Sequence, residues 1–294
     1  MPASLHWLLT SVFNGFSQIF LLVHPVCGAL LLLAFAIGAP ALLAGALLGT
    51  LVATLGAWRL GYGRRDIGEG LYGYNAALLG ALLTLTLGVT VLALALTVIG
   101  AWLTALMQAW WLRARQRGPW PPAYTLAFVL LGVLAVQSLQ ALGLVPPTVA
   151  AVPIADGWTA WPVAIVRGVG QVIFLDHALA GLCVLLALGV ADRAALGWAL
   201  AGSSLGLALA LAMQVPTAPL LSGLAGYNGA LIALVLRGLP GGRLMLLPGV
   251  ALGLLVQQGL LLLGLAPLTL PFILCGWLAQ LARRITPPDR LRAR

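Results

Sequence analysis

Two glutamines, two threonines and two Tyr-Asn pairs stand at matched places in a chain that is otherwise almost all hydrocarbon. Gln18 and Gln171 lie 153 residues apart, and Tyr74-Asn75 precedes Tyr227-Asn228 by the same offset. His24 and His177 share it, while Thr125 and Thr269, each opening Thr-Leu-x-Phe, are 144 apart. Amides and hydroxyls donate and accept hydrogen bonds without bearing charge. A series of them replaces the water around a small neutral solute and offers little to a desolvated ion. Hydrolytic chemistry would need a Ser/His pair, HExxH or apposed aspartates. Ser138, Ser203, Ser204 and Ser222 have no partner that the sequence places beside them, and Asp176 stands alone. No cofactor or metal site is read, and an intramembrane enzyme is disfavoured.

Each polar residue has a structural alternative. A glutamine in an apolar helix often makes an interhelical hydrogen bond, but the matched pair Gln18 and Gln171 favours pore lining. Threonine in such a helix commonly bonds back to a carbonyl one turn earlier. The repeated context, following PWPPAY and APL, argues instead that Thr125 and Thr269 face one axis. His24 and His177 are read as caps or supports at a bend ahead of proton carriers, and an Asp176–His177 hydrogen bond would serve the same bend. Asn75 and Asn228 follow Gly-Tyr and precede good helix formers, so each is expected to cap the helix it opens, inside the bilayer. Leu78 and Leu231, one turn further on, then offer narrow apolar walls. Cys27, Cys183 and Cys275 sit in apolar runs and read as buried small hydrophobes.

The elements that must position these groups follow from composition. Of 294 residues, 62% are apolar and 7% charged, with a mean hydropathy of +1.08. Successive apolar stretches without strict alternation exclude a β-barrel and predict an all-α integral membrane protein. Ten segments are expected: 14–38, 40–58, 71–87, 88–112 and 123–145, then 167–190, 194–213, 218–236, 244–265 and 268–284. The Pro- and Trp-rich stretch 145–162 between the series suits the membrane interface. The N-terminus lacks a basic region and a cleavage site, so the first segment is expected to be retained. His24-Pro25 must interrupt a helix, which predicts re-entrant half-helices over roughly 7–23 and 160–176.

All fifteen cationic residues are Arg, and they fall in the gaps between segments. With the N-terminus cytoplasmic, the inner gaps hold Arg59, Arg64, Arg65, Arg113, Arg115, Arg117, Arg193, Arg237 and Arg243. The tail adds Arg283, Arg284, Arg290, Arg292 and Arg294, leaving Arg167 alone outside. This distribution marks topology rather than a nucleic-acid partner, and it places both termini inside. Ten spans in two series of five put the halves in opposite orientation, as two inverted repeats (1–147 and 148–294). Gly15/Gly168, Gly28/Gly181 and Gly49/Gly202 match at the same offset. A substrate path belongs at the interface of such repeats.

The paired motifs GFSQIF and RGVGQVIF, LYGYNAAL and LAGYNGAL, and YTLAF and LTLPF resemble those of the urea transporter family over nearly the whole chain. The resemblance implies two inverted five-helix repeats, a central pore in each subunit, a homotrimer and passage of urea through a narrow slot. It further implies that Gln18 and Gln171 lie near the pore mouths and Thr125 and Thr269 near its centre. Tyr74, Leu78, Tyr227 and Leu231 would form the walls, with Leu21 and Phe174 as further candidates. Val-His-Pro and Asp-His-Ala replace the family's usual amide-bearing tripeptides after the glutamines, and Leu21 replaces a frequent Phe. The expected function is passive urea conduction across the inner membrane. The alternative is a related channel for ammonia or short amides, with His24 and His177 altering selectivity.

Overall fold

The computed structural model describes residues 5–144 and 159–285, and helix is the only regular structure there apart from one 3₁₀ turn. Most of the linker 145–162 and Arg290, Arg292 and Arg294 lie outside the described residues, as does the expected boundary at 147/148. The first half runs α1 (Leu5–Gln18), α2 (Pro25–Gly38), α3 (Pro40–Arg59), α4 (Arg64–Gly68), α5 (Tyr74–Leu87), α6 (Val91–Arg117) and α7 (Leu126–Ala141). The second runs α8 (Ala160–Gly170) with a 3₁₀ turn (Gln171–Ile173), α9 (Ala178–Ala191), α10 (Arg193–Ala212), α11 (Thr217–Leu221), α12 (Tyr227–Arg237), α13 (Gly242–Leu262) and α14 (Leu270–Ile285). Helices α2, α3, α4 and α5 begin 153 residues before α9, α10, α11 and α12.

Four helices, α3, α6, α10 and α13, are long and apolar enough to cross a membrane alone, and α8 with α9 forms a fifth candidate bent by 74°. The expected single stretch 14–38 is likewise two helices, with residues 19–24 outside both. The expected segments at 71–87, 123–145 and 218–236 carry shorter helices of 14, 16 and 11 residues. At 1.5 Å per residue these cover about 24 Å or less, short of a ~30 Å hydrocarbon layer. Hydropathy cannot separate an apolar helix from the apolar turn that leads into it. The short helices α4 and α11 were not foreseen, because each lies in a stretch read as a gap or as the start of a longer span.

Packing on the long helix α6 puts small residues inside and large apolar ones outside. The inward stripe of α6 is Ala93, Thr97, Gly100, Ala101, Thr104, Ala105 and Gln108. Its outer side carries exposed Val91, Ile99, Leu103, Leu106 and Trp110. Small inner residues let backbones approach, which supplies cohesion where lipid is as apolar as leucine. A Cβ on Gly49 would lie 2.2 Å from the Ala76 carbonyl oxygen, and one on Gly202 2.2 Å from that of Gly229. These two glycines bring α3 against α5 and α10 against α12. The halves meet where α2 packs on α9 and α7 on α14. One buried cluster spans both, including Phe16, Phe20 and Phe128 from the first half and Ile173, Leu188 and Phe272 from the second.

Candidate functional site

The breaks after α1 and α8 are built alike. Leu21 N–H donates to Gln18 O at 3.0 Å and Leu22 N–H to Ser17 O at 3.2 Å; Phe174 N–H donates to Gln171 O and Leu175 N–H to Gly170 O, both at 3.1 Å. This pairing closes a helix with its terminal residue in the left-handed region, a place usually held by glycine. Here it is held by Leu21 at φ 61° and Phe174 at φ 62°. Large side chains tolerated at such a position point to a purpose beyond chain reversal. Two further matched residues, Tyr124 at φ 48° and Leu268 at φ 43°, are also left-handed. They immediately precede Thr125 and Thr269.

Beyond the first break, His24 caps α2, its Nδ1 accepting from Cys27 N–H at 3.2 Å. Ser17 Oγ supports the same turn by donating to Leu22 O and accepting from His24 N–H. His177 occupies the equivalent cap position of α9 without a side-chain capping bond. Among the described residues no Asp176–His177 hydrogen bond occurs, so the local pair expected there is absent. The second break differs in its support as well. Gly170 stands where the first half has Ser17, and a Cβ there would come within 2.6 Å of Leu175 O.

Both glutamines are held by one symmetric contact. Gln18 Nε2 donates to Glu69 O at 3.0 Å and Gln171 Nε2 to Ser222 O at 3.0 Å. With one N–H of each amide engaged by backbone, the acceptor Oε1 and the second N–H remain. One turn earlier, Asn14 Nδ2 donates to Gly68 O at 2.8 Å, and Arg167 Nη1 donates to Leu221 O at 3.1 Å. The loops gripped in this way lead directly into the Tyr-Asn motifs.

Thr125 Oγ1 and Thr269 Oγ1 lie 2.6 Å apart and are buried. Each hydroxyl meets its counterpart from the other half, rather than a carbonyl in its own helix. The Tyr-Asn pairs hold the turns that carry them. Tyr74 Oη donates to Tyr124 O, and Tyr227 Oη donates to Leu268 O at 2.7 Å. The asparagines do not cap their own helices. Glycines, Gly73 and Gly226, occupy the N-cap positions of α5 and α12. Asn75 and Asn228 lie inside the first turn, where the side chain projects toward a neighbouring helix. Asn75 Oδ1 accepts from Phe128 N–H at 3.0 Å, thereby capping α7. Asn228 Nδ2 donates to Gln257 Oε1 at 2.8 Å and to Leu268 O at 3.2 Å. The opposite ends of these amides, Asn75 Nδ2 and Asn228 Oδ1, are buried without a protein partner.

Four of the expected pore residues line one cavity of about 170 Å³: Gln171, Phe174, Tyr227 and Thr269, together with Phe128 and Leu224. Phe128 and Phe174 meet edge to face, with ring centroids 6.1 Å apart. Tyr74 is buried on its turn, and Leu21 packs against the shared apolar cluster. Leu78 and Leu231, expected as walls, are each only 1% exposed within that cluster. Their contacts are those of packed core side chains.

Several site residues escaped the sequence reading. Gln108 Oε1 lies 3.4 Å from Tyr74 Oη, whose proton goes to Tyr124 O, and Gln257 Nε2 donates to Leu224 O at 2.8 Å. A rare amide within the apolar stretches of α6 and α13 was a usable signal, but the offset drifts there and hides the pairing. The loop before α7 is pinned from the other half. Trp277 Nε1 donates to Pro122 O at 2.9 Å and Gln280 Nε2 to Tyr124 Oη at 2.6 Å. Reciprocally, Gln137 Nε2 of α7 donates to Gly264 O before α14, at 3.1 Å. No composition signal marks backbone carbonyls as partners.

An apolar helical bundle with two broken helices and facing uncharged polar groups defines a membrane protein. The chain belongs to the urea transporter family, described as "UT: Urea transporter", whose family model matches residues 9–284. It is 25% identical over 248 residues to urea transporter 1 of Ovis aries, covering 78% of this chain and 62% of that protein. It is 26% identical over 253 residues to urea transporter 1 of Rattus norvegicus, covering 79% and 62%. The chain thus spans under two thirds of the length of these curated relatives.

Proposed function

We propose that the protein is a passive channel that conducts urea through a slot between its two halves. The single observation carrying this reading is the Thr125–Thr269 hydroxyl pair, 2.6 Å apart and buried where the halves meet. Urea offers four N–H donors and one carbonyl acceptor. As it sheds water it needs acceptors along the way, supplied by Gln18 Oε1 and Gln171 Oε1 near the mouths. At the centre the threonine hydroxyls exchange their mutual bond for bonds to urea, serving both its N–H groups and its carbonyl. Leu21, Phe174, Phe128 and the Tyr74 and Tyr227 rings provide flat apolar surfaces that fit a planar molecule and give a desolvated ion no compensation. Leu78 and Leu231 then back the slot from within the core.

The reading includes two inverted repeats of five spans each, with each broken pair α1–α2 and α8–α9 counted as one span. Matched helix starts and matched glutamine, tyrosine and glycine contacts support it. The arginine distribution supports an inner-membrane location with both termini cytoplasmic, and family membership supports a homotrimer. The activity is transport, with no catalytic step. The uncharged site leaves flux to follow the solute gradient.

Osmotic shrinkage of proteoliposomes, followed by stopped-flow light scattering, tests the assignment. Urea should permeate far faster than through protein-free liposomes, and faster than methylurea, whose methyl group widens the plane. If formamide and ammonia pass but urea does not exceed the protein-free rate, the alternative solute class replaces urea.

A further inference from the structure

The two mouths differ, among other places, at the symmetric position one helical turn before each glutamine. Asn14 of α1 and Arg167 of α8 are 153 residues apart, and each donates to the loop carbonyl one residue before the one its glutamine holds. An uncharged amide suffices for that bond in the first half, so the positive charge in the second half is not needed to hold the loop. Arg167 lies four residues before Gln171, hence on the same side of the helix, and Gln171 lines the cavity with Phe174 and Thr269. The guanidinium is unneutralised among the described residues. The two ion pairs found there are Arg65–Glu69 and Arg237–Asp192, and Arg167 Nε is buried without a partner.

We propose that Arg167 is a charge filter at the second-half mouth, lowering the occupancy of cationic solutes shaped like the neutral one that passes. It acts before the apolar slot, on entry rather than on conduction. This inference rests on the channel reading above. It assigns to one mouth a discrimination at entry, ahead of the desolvation cost that excludes ions from the slot itself.

Guanidinium is the probe, because it is planar and urea-sized but carries a full positive charge. Its inhibition of urea flux is measured in proteoliposomes for the wild type, Arg167→Asn and Arg167→Lys. Arg167→Asn copies the first half and keeps the carbonyl bond. It should retain urea flux and lower the inhibitory guanidinium concentration by roughly tenfold, the scale of a unit charge about 6 Å away in a partly hydrated mouth. Arg167→Lys should stay near the wild type, and the difference should shrink at high salt, where the screening length falls to a few ångströms. Unchanged guanidinium inhibition in an Arg167→Asn protein that still conducts urea overturns the filter alone. Loss of urea flux in both variants also overturns it, by assigning Arg167 a purely structural role. Absence of urea flux in the wild type overturns the channel reading and the filter with it.

Discussion

At the residue scale, the central hydroxyl pair sets an unusual balance between stability and transport. Replacing one member of a buried hydrogen bond strands the other, at about 1–3 kcal/mol, whereas replacing both with apolar isosteres is close to neutral. Thr125→Val and Thr269→Val should therefore each lower thermal stability in detergent, and the double variant should recover much of the loss. Transport should run the other way, with the double variant the slowest. A second prediction concerns Tyr227, whose hydroxyl holds Leu268 O at 2.7 Å. Tyr227→Phe should cost about 1 kcal/mol of stability and slow urea flux by loosening the Thr269 turn, as flux and melting measurements on one preparation would reveal. The types and pairing of these residues were legible in the sequence. The direction of the asparagines was not, because a position within the first turn rather than before it turns the side chain toward another helix.

At the scale of elements, the breaks and the small-residue seams carry the architecture. His24-Pro25 announced one break in the sequence, whereas the left-handed closure by Leu21 and Phe174 is a property of backbone that residue type disfavours and so conceals. Gly49 and Gly202 were visible as a matched pair, and their role follows from the 2.2 Å left for a Cβ at each. Gly49→Val and Gly202→Val should both wedge paired helices apart and cost more than about 2 kcal/mol, read as reduced recovery of monodisperse protein on size-exclusion chromatography. A tie at the other end of the second-half seam is pH-dependent. Asp192 caps α10 by accepting from Ala194 and Ala195 N–H and pairs with Arg237 at the end of α12. Burial pushes its carboxyl pKa up, but the bonds from Arg237, Ala195 and Ala194 outweigh this and hold it below the ordinary value. The folded-state pKa is thus depressed, so the tie is present at neutral pH and is lost as pH falls through that value. Asp192→Asn should flatten the acid side of the melting-temperature profile. An unchanged profile would show that the tie contributes nothing.

At the scale of the whole molecule, two halves with matched helix starts bring the buried hydroxyls of Thr125 and Thr269 together in an apolar body. The expectation of ten spans came from hydropathy, which records where chain is apolar and not where a helix begins. Lengths of 11 to 16 residues in α5, α7, α12 and α14 belong to helices preceded by turns, which carry Thr125 and Thr269 before α7 and α14. Those turns are as apolar in composition as the helices, so their boundaries could not be read. The Gln, Thr and Tyr-Asn pairs could be read because uncharged polar side chains repeated in matched contexts are costly in hydrocarbon unless they serve a site. The central claim is that solute crosses between the two threonine-bearing turns. The most direct test is the urea permeability of proteoliposomes holding equal amounts of folded wild-type protein or the Thr125→Val/Thr269→Val variant. We predict rapid urea flux in the wild type and at least a tenfold loss in the variant, the scale of one to two hydrogen bonds withdrawn from a desolvated solute. Equal fluxes from the two proteins would contradict the account.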